Sequence, residues 1–122
     1  MTLHSSDREA DYLAYIRDCI HRIEERSVGG REAFFDSDVL QDAVIRRLET
    51  LADASQHLSV ALKERHPEIP WRTIVDFCNR VAHGYLNIDL ERVWDVIEGD
   101  LPPLKGVVEQ ELRERGHTTD SR

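Results

Sequence analysis

The chain has few of the features that would staple, export or anchor a protein. Its 122 residues include only two cysteines, Cys19 and Cys78. They form no CxxC unit and no disulfide framework, so reduced thiols in a cytoplasmic setting are expected. No basic stretch followed by an apolar run opens the sequence, so no export signal is visible. No segment reaches the roughly 18 consecutive apolar residues that a membrane-spanning helix needs. Strand signals are also poor. Valine and isoleucine are scattered at helical spacings, and there is no Asn-Gly or Asp-Gly hairpin turn. Positive charge is in deficit, with 16 Lys and Arg against 24 Asp and Glu for a net charge of −8. That excludes a protein that coats nucleic acid indiscriminately, but says little about a single cleft. The six histidines show no HExxH or paired-ligand spacing, and no glycine-rich loop could cradle a phosphate. Neither a metal nor a cofactor is therefore expected.

What is present is one helical domain. Hydrophobic residues make up 40% and charged residues 33%, ordinary for a helix-rich chain with a core of its own. Five helical segments can be drawn, giving an antiparallel bundle of four to five helices spanning residues 1–122. The first starts after Ser6, with Glu9 three residues on in the capping-box pattern, and places Tyr12, Ile16, Cys19, Ile20 and Ile23 on one stripe. Gly29-Gly30 should end it, and a short turn around Arg31–Phe35 should follow. A second, long helix is expected from about Asp38 to Arg65, with Val39, Ala43, Leu48, Leu51, Ala54, Leu58 and Leu62 on its apolar face. His66-Pro67 should stop it. Pro70 suits the first turn of a third helix, Trp71–His83, which Gly84 breaks. Asn87 or Asp89 can cap a fourth from Leu90 to Glu98, ending at Gly99. Asp100 and Pro102-Pro103 should start a fifth to about Arg115. The polar tail from about 116 is expected to fray.

The third helix carries the chemistry. At about 100° per residue, Trp71, Ile74, Val75, Cys78, Val81 and Ala82 share the side expected to face the bundle. Arg72, Asp76, Asn79 and His83 form a polar ridge elsewhere, with His83 at the C-terminal end and Arg80 one turn before it. Such a ridge is often only the wet side of a helix. Here His83 also sits at a helix C-terminus, where the protonated imidazole is favoured. Trp71 and Trp94 are expected to anchor the core, and Arg46-Arg47 to lie on a solvated helix face.

The run Pro70-Trp71-Arg72-Thr73-Ile74-Val75-Asp76-Phe77-Cys78-Asn79-Arg80-Val81-Ala82-His83-Gly84-Tyr85 closely resembles the HepT-like branch of the HEPN domains. Ile88-Asp89, Val93-Trp94, Asp100-Leu101-Pro102, the Ser6-Asp7 to Tyr12 region and the stretch Ala43 to Glu49 extend the resemblance over about residues 7–110. It implies a small helical bundle acting as a homodimer and cutting RNA without metal. It also implies a toxin restrained by an MNT-type nucleotidyltransferase antitoxin, which transfers AMP onto the motif tyrosine. The family motif is Arg, four residues, His, any residue, Tyr. His83 and Tyr85 match it, and Asn79 matches the asparagine that follows the arginine.

The arginine position is Cys78, which offers neither charge nor forked donors. Packing is the expected role of this thiol. Arg80 or Arg72 would then have to supply the lost charge. The family's second-helix acid survives as Asp53, expected to be a buried carboxylate near another donor such as Asn79. The resemblance thus makes His83 the general acid or base, with Arg80 and Arg72 stabilising charge and Asn79 holding the pocket. Tyr85 is the implied AMPylation site, and Asp53 and Cys78 are supporting. The missing arginine leaves a second reading open: a catalytically impaired bundle serving as a binding or assembly partner of the nucleotidyltransferase.

Overall fold

The computed structural model describes residues 5–84 and 88–116, with side chains from residue 8 onward. The described residues are mostly helical, with no strand among them. They form α1 (Ser5–Arg26), α2 (Gly30–Phe35), α3 (Asp38–Ser55), α4 (Val60–Arg65), α5 (Trp71–Ala82), α6 (Leu90–Asp95) and α7 (Leu101–Glu114), with a π-helical turn over Val96–Asp100 between the last two. This is an all-α, HEPN-like bundle. α3 packs against both α1 and α5, and α7 against α1.

The core follows from helical periodicity. Leu13, Ile16, Cys19, Ile20 and Ile23 of α1 are fully buried and meet Val44, Leu48, Leu51 and Ala52 of α3. Leu104, Val108 and Leu112 of α7 close the other side. At roughly 25 cal/mol per Å² of apolar surface, each such side chain contributes about 1.5–3 kcal/mol. Trp94 anchors the core as expected, with its ring 5.4 Å from that of Phe34. No helix among the described residues is long and apolar enough to cross a membrane.

Several expected boundaries move. The stretch read as a turn at Arg31–Phe35 is the helix α2, and Gly30, at φ +91°, takes the left-handed conformation between it and α1. Val39, placed on the apolar face of α3, is 77% exposed, because the inward stripe begins at Val44. The single helix expected over 38–65 is two. The chain leaves α3 at Ser55 and restarts at α4, where the Ser59 hydroxyl accepts from the Leu62 amide at 3.0 Å. Conversely, no break separates the expected fourth and fifth helices. The chain stays helical from Leu90 to Glu114 by widening to the π turn just before Pro102 and Pro103, which cannot donate to the carbonyls one turn back. Asp89 caps α6 as expected, its Oδ1 accepting from the Arg92 amide at 3.1 Å. Asn87 lies outside the described residues, as do positions 117–122 of the tail.

One polar cluster is buried against the core. Glu111 of α7 is 2% exposed and accepts from Arg65 Nη2 at 2.9 Å, Arg115 Nη1 at 2.8 Å and His66 Nε2 at 2.6 Å. Arg115 also reaches Glu9 of α1, whose other oxygen accepts from the Ser59 amide. Glu9 therefore ties α1 to the start of α4 and to Arg115 of the C-terminal helix end, and the side chain of Ser6 lies outside the described residues. Burial works against the Glu111 charge, but the hydrogen bonds from Arg65 and His66 outweigh it and hold the carboxyl below its ordinary value of 4.5. A lowered folded pKa means the stabilisation is complete above the ordinary value and is lost as pH falls through the folded one. Glu111→Gln should therefore lower stability at pH 7 by about 1.5–3 kcal/mol, the range for hydrogen bonds to charged groups. It should also flatten the acid limb of the stability profile. Denaturant melts of the two proteins from pH 7 to pH 3 check this, and an unchanged acid limb would refute it.

Candidate active-site cleft

Packing sets the rotation of α5. Ile74, Phe77, Cys78 and Val81 are buried, while Trp71, Val75 and Ala82 are only partly so. The apolar side is thus turned toward Phe77, which the 100° spacing leaves off it. Arg72, Asp76 and His83 are exposed and Asn79 is half-buried, so the polar ridge exists and is anchored by the face opposite it.

His83 caps the end of α5. Its Nδ1 lies 2.9 Å from the backbone carbonyl oxygen of Asn79. A carbonyl only accepts, so Nδ1 donates, and the neutral ring keeps its lone pair on Nε2. Asn79, expected to hold the pocket by hydrogen bonding, contacts the imidazole through its backbone carbonyl. Gly84 follows, and a Cβ there would come within 3.2 Å of the Arg80 carbonyl oxygen, so glycine eases the tight exit from the helix.

Opposite His83, α3 completes a cleft of about 380 Å³ bounded by Arg46, Glu49, Thr50, Asp53, Asn79 and His83. Positions 46, 49, 50 and 53 fall on one stripe of α3 because they are a turn apart. Asp53 is exposed rather than buried, so the donor demanded of a buried carboxylate is not needed. It faces the same cleft as Asn79 and His83. The cation in this cleft is Arg46, with its Nη1 3.6 Å from Glu49 Oε1 and its side chain 70% exposed. Sequence reasoning had assigned Arg46 to a solvated face. The signal that could have found it was its register with Asp53 on α3, inside the stretch that carried the family resemblance.

The other two arginines point elsewhere. The Arg80 guanidinium lies 6.0 Å from the centroid of the Phe77 ring, which Arg92 approaches at 5.2 Å. Arg72 lines a second cleft of about 440 Å³ with Lys63, Trp71 and Asp76, and Asn79 borders both clefts. Tyr85 lies outside the described residues.

Cys78 is completely buried. Burial, with a smaller contribution from the Asp100 charge, pushes its thiol up to about 12. It packs as expected, and an arginine at this position would start from the core side of α5. Cys19 is also a buried free thiol. Both should resist a thiol-disulfide exchange reagent at pH 8 in the native protein and react fully in guanidinium. Rapid native titration of either one would contradict the packing described for it.

Comparison with known proteins places these residues in a family. Residues 16–111 match the ribonuclease HepT-like family. A protein of Thermococcus cleftensis named probable ribonuclease HepT is 38% identical over 105 residues, covering 82% of this chain and 92% of its own. A Methanocaldococcus jannaschii protein whose name couples gamma-glutamylcyclotransferase with RNase is 37% identical over 95 residues, 77% of this chain. The chain spans only 43% of that longer protein. A protein of Caldanaerobacter subterraneus that carries RNase in its name is 28% identical over 103 residues, 84% of this chain and 92% of its own. No solved structure matches the chain.

Proposed function

Because this chain belongs to the ribonuclease HepT-like family, we propose that it is a metal-independent endoribonuclease of the toxin type, with His83 as its acid–base residue. The observation that carries this reading is the His83 ring, held through Nδ1 on the Asn79 carbonyl with Nε2 unpaired among the described residues, in a cleft that also holds Arg46.

In the neutral ring Nε2 takes the proton of a ribose 2′-OH, whose oxygen attacks the adjacent phosphorus. The bond to the 5′-oxygen breaks, leaving a 2′,3′-cyclic phosphate and, after that oxygen receives a proton, a 5′-OH end. Such proton transfers contribute about 10²–10⁴-fold. A homodimer with two clefts face to face would bring a second imidazole to the leaving oxygen. Arg46 is the cation nearest to hand for the charge on phosphorus. Arg80, one turn from His83, is a second that a strand crossing the helix end would meet. Asp53 lines the same cleft two turns along α3 from Arg46 and adds a carboxylate there. The protein would act in the cytoplasm beside an MNT-type nucleotidyltransferase. AMP added to Tyr85, two residues from the imidazole, would block the cleft by bulk and negative charge, as a phosphate would.

His83 is exposed and its side chain is not needed for packing, so His83→Ala should keep the wild-type melting temperature. It should lose about 10²–10⁴-fold in cleavage of single-stranded RNA, with Arg46→Ala falling between the two. Mass spectrometry after co-expression with the nucleotidyltransferase should find one adenylyl group on Tyr85 and none on Tyr85→Phe. Equal cleavage by wild type and His83→Ala would sink the catalytic assignment. The buried Cys78 favours the second reading, in which the bundle only binds its partner. Wild type that forms the complex with the nucleotidyltransferase but cuts no RNA would establish that reading.

A further inference from the structure

The cleft that holds His83 is poorly charged for a polyanion. Arg46 faces two carboxylates there, Glu49 and Asp53, and is already close to Glu49. The neighbouring cleft has the reverse balance, with Lys63 and Arg72 against the single carboxylate of Asp76. Lys63 comes from α4 and Arg72 from the first turn of α5, so the break between α3 and α4 brings the two cations together. No ion pair engages either one among the described residues. Between them lies Trp71, half-buried, its indole N–H donating to the His66 carbonyl oxygen at 3.1 Å. That bond fixes the ring as one wall of the cleft.

We propose that this second cleft is an anchoring subsite for the RNA strand, gripping a backbone phosphate with Lys63 and Arg72 and offering the Trp71 ring to a base. Arg72 is eleven residues from His83, about 16 Å along the helix at 1.5 Å per residue, so the phosphate it holds is not the one being cut. Asn79 borders both clefts and makes them one continuous track. An aromatic face beside paired cations is the combination by which single strands are held without sequence preference. This placement makes Arg72 a binding residue and leaves the reacting phosphorus to the His83 cleft. It also explains how a protein of net charge −8 could hold RNA, since the positive charge need only be local.

The inference rests on the ribonuclease reading, and the test separates the two. A fluorescein-labelled oligouridylate of about twelve nucleotides, within the span of known single-strand sites, is titrated with wild type, Lys63→Gln/Arg72→Gln and His83→Ala. Anisotropy is followed over a range of salt, and cleavage of the same RNA is measured in parallel. The double variant should bind about tenfold more weakly. Its slope of log K against log salt should be shallower by about 0.7 for each lost phosphate contact, and its deficit in cleavage should lie in KM. His83→Ala should bind as wild type does and fail to cut. If the double variant matches wild type in affinity and salt slope while His83→Ala is inactive, the subsite is refuted and the nuclease stands. If wild type cuts nothing yet binds through Lys63 and Arg72, the subsite stands and the nuclease reading falls. Wild type that does not bind the oligonucleotide overturns both.

Discussion

The burial of one face of α5 against α3 is the constraint on which the site depends. Ile74, Phe77, Cys78 and Val81 are apolar and nearly inaccessible, and together they allow only one rotation of the helix. Turning α5 by even one residue position, about 100°, would expose this face and bury Asn79 or Asp76 without partners, at a cost of several kcal/mol. The polar ridge is thus directed by the face it does not contain. The same packing sets the stripe Arg46, Glu49, Asp53 opposite Asn79 and His83, because α3 uses its other faces on α1 and the core.

The buried Glu111 cluster does comparable work for the second cleft. α4 is a six-residue helix, too short to be stable from its own hydrogen bonds. It is held by Leu62 in the core and, at its ends, by the Glu9 contact with Ser59 and the Arg65 and His66 bonds to Glu111. Its attachment fixes Lys63 beside Trp71 and Arg72. The His66 backbone carbonyl takes the Trp71 indole hydrogen, so one residue links the ionic cluster to the wall of the cleft. A buried ionic group is weak evidence for net stability. Here it joins α1, α4 and α7 through Glu9, Arg65, His66, Glu111 and Arg115.

The helical class, the core stripe of α1, the extent of α5 and the cap at Asp89 were legible in the sequence because each is written locally, in period and in capping chemistry. The break between α3 and α4 was not. Leu51, Ala54, Leu58 and Leu62 keep a helical spacing across it, so the hydrophobic pattern is continuous where the backbone is not. Ser59 was the one signal there, and a serine between two apolar residues does not outweigh an unbroken stripe. The join between α6 and α7 failed in the opposite sense. Gly99, Pro102 and Pro103 are ordinary stop signals, and only a π turn, which leaves no mark in composition, lets the helix pass them. At the site, His83, Asn79 and Asp53 could be found from motif spacing. Arg46 was signalled only by its register with Asp53 on α3, since proximity between helices is not written in either one. Asp53 was misjudged for a related reason: the resemblance supplied its partner but not its exposure.

The resemblance puts an arginine where Cys78 stands, and the direction of that side chain decides what a cysteine there changes. Cys78 sits on the core side of α5 and is fully enclosed, so a long cationic side chain there would have to thread outward past its neighbours to reach the His83 cleft. Packing a thiol instead removes the charge without leaving a cavity. The cleft then has to draw its cation from a helix whose register already supplies one, and Arg46 on α3 meets that condition without any backbone change. A bidentate arginine on α5 would have been held by its own helix, whereas Arg46 is mostly exposed and shares its charge with Glu49. Compared with the arginine that the resemblance implies, Arg46 is a less preorganised donor, and electrostatic catalysis depends on donors that are already in place when charge develops. On the proposed ribonuclease reading, a slower enzyme with the same acid–base residue follows from that difference. On that reading, binding of the strand comes mainly from charges outside the His83 cleft.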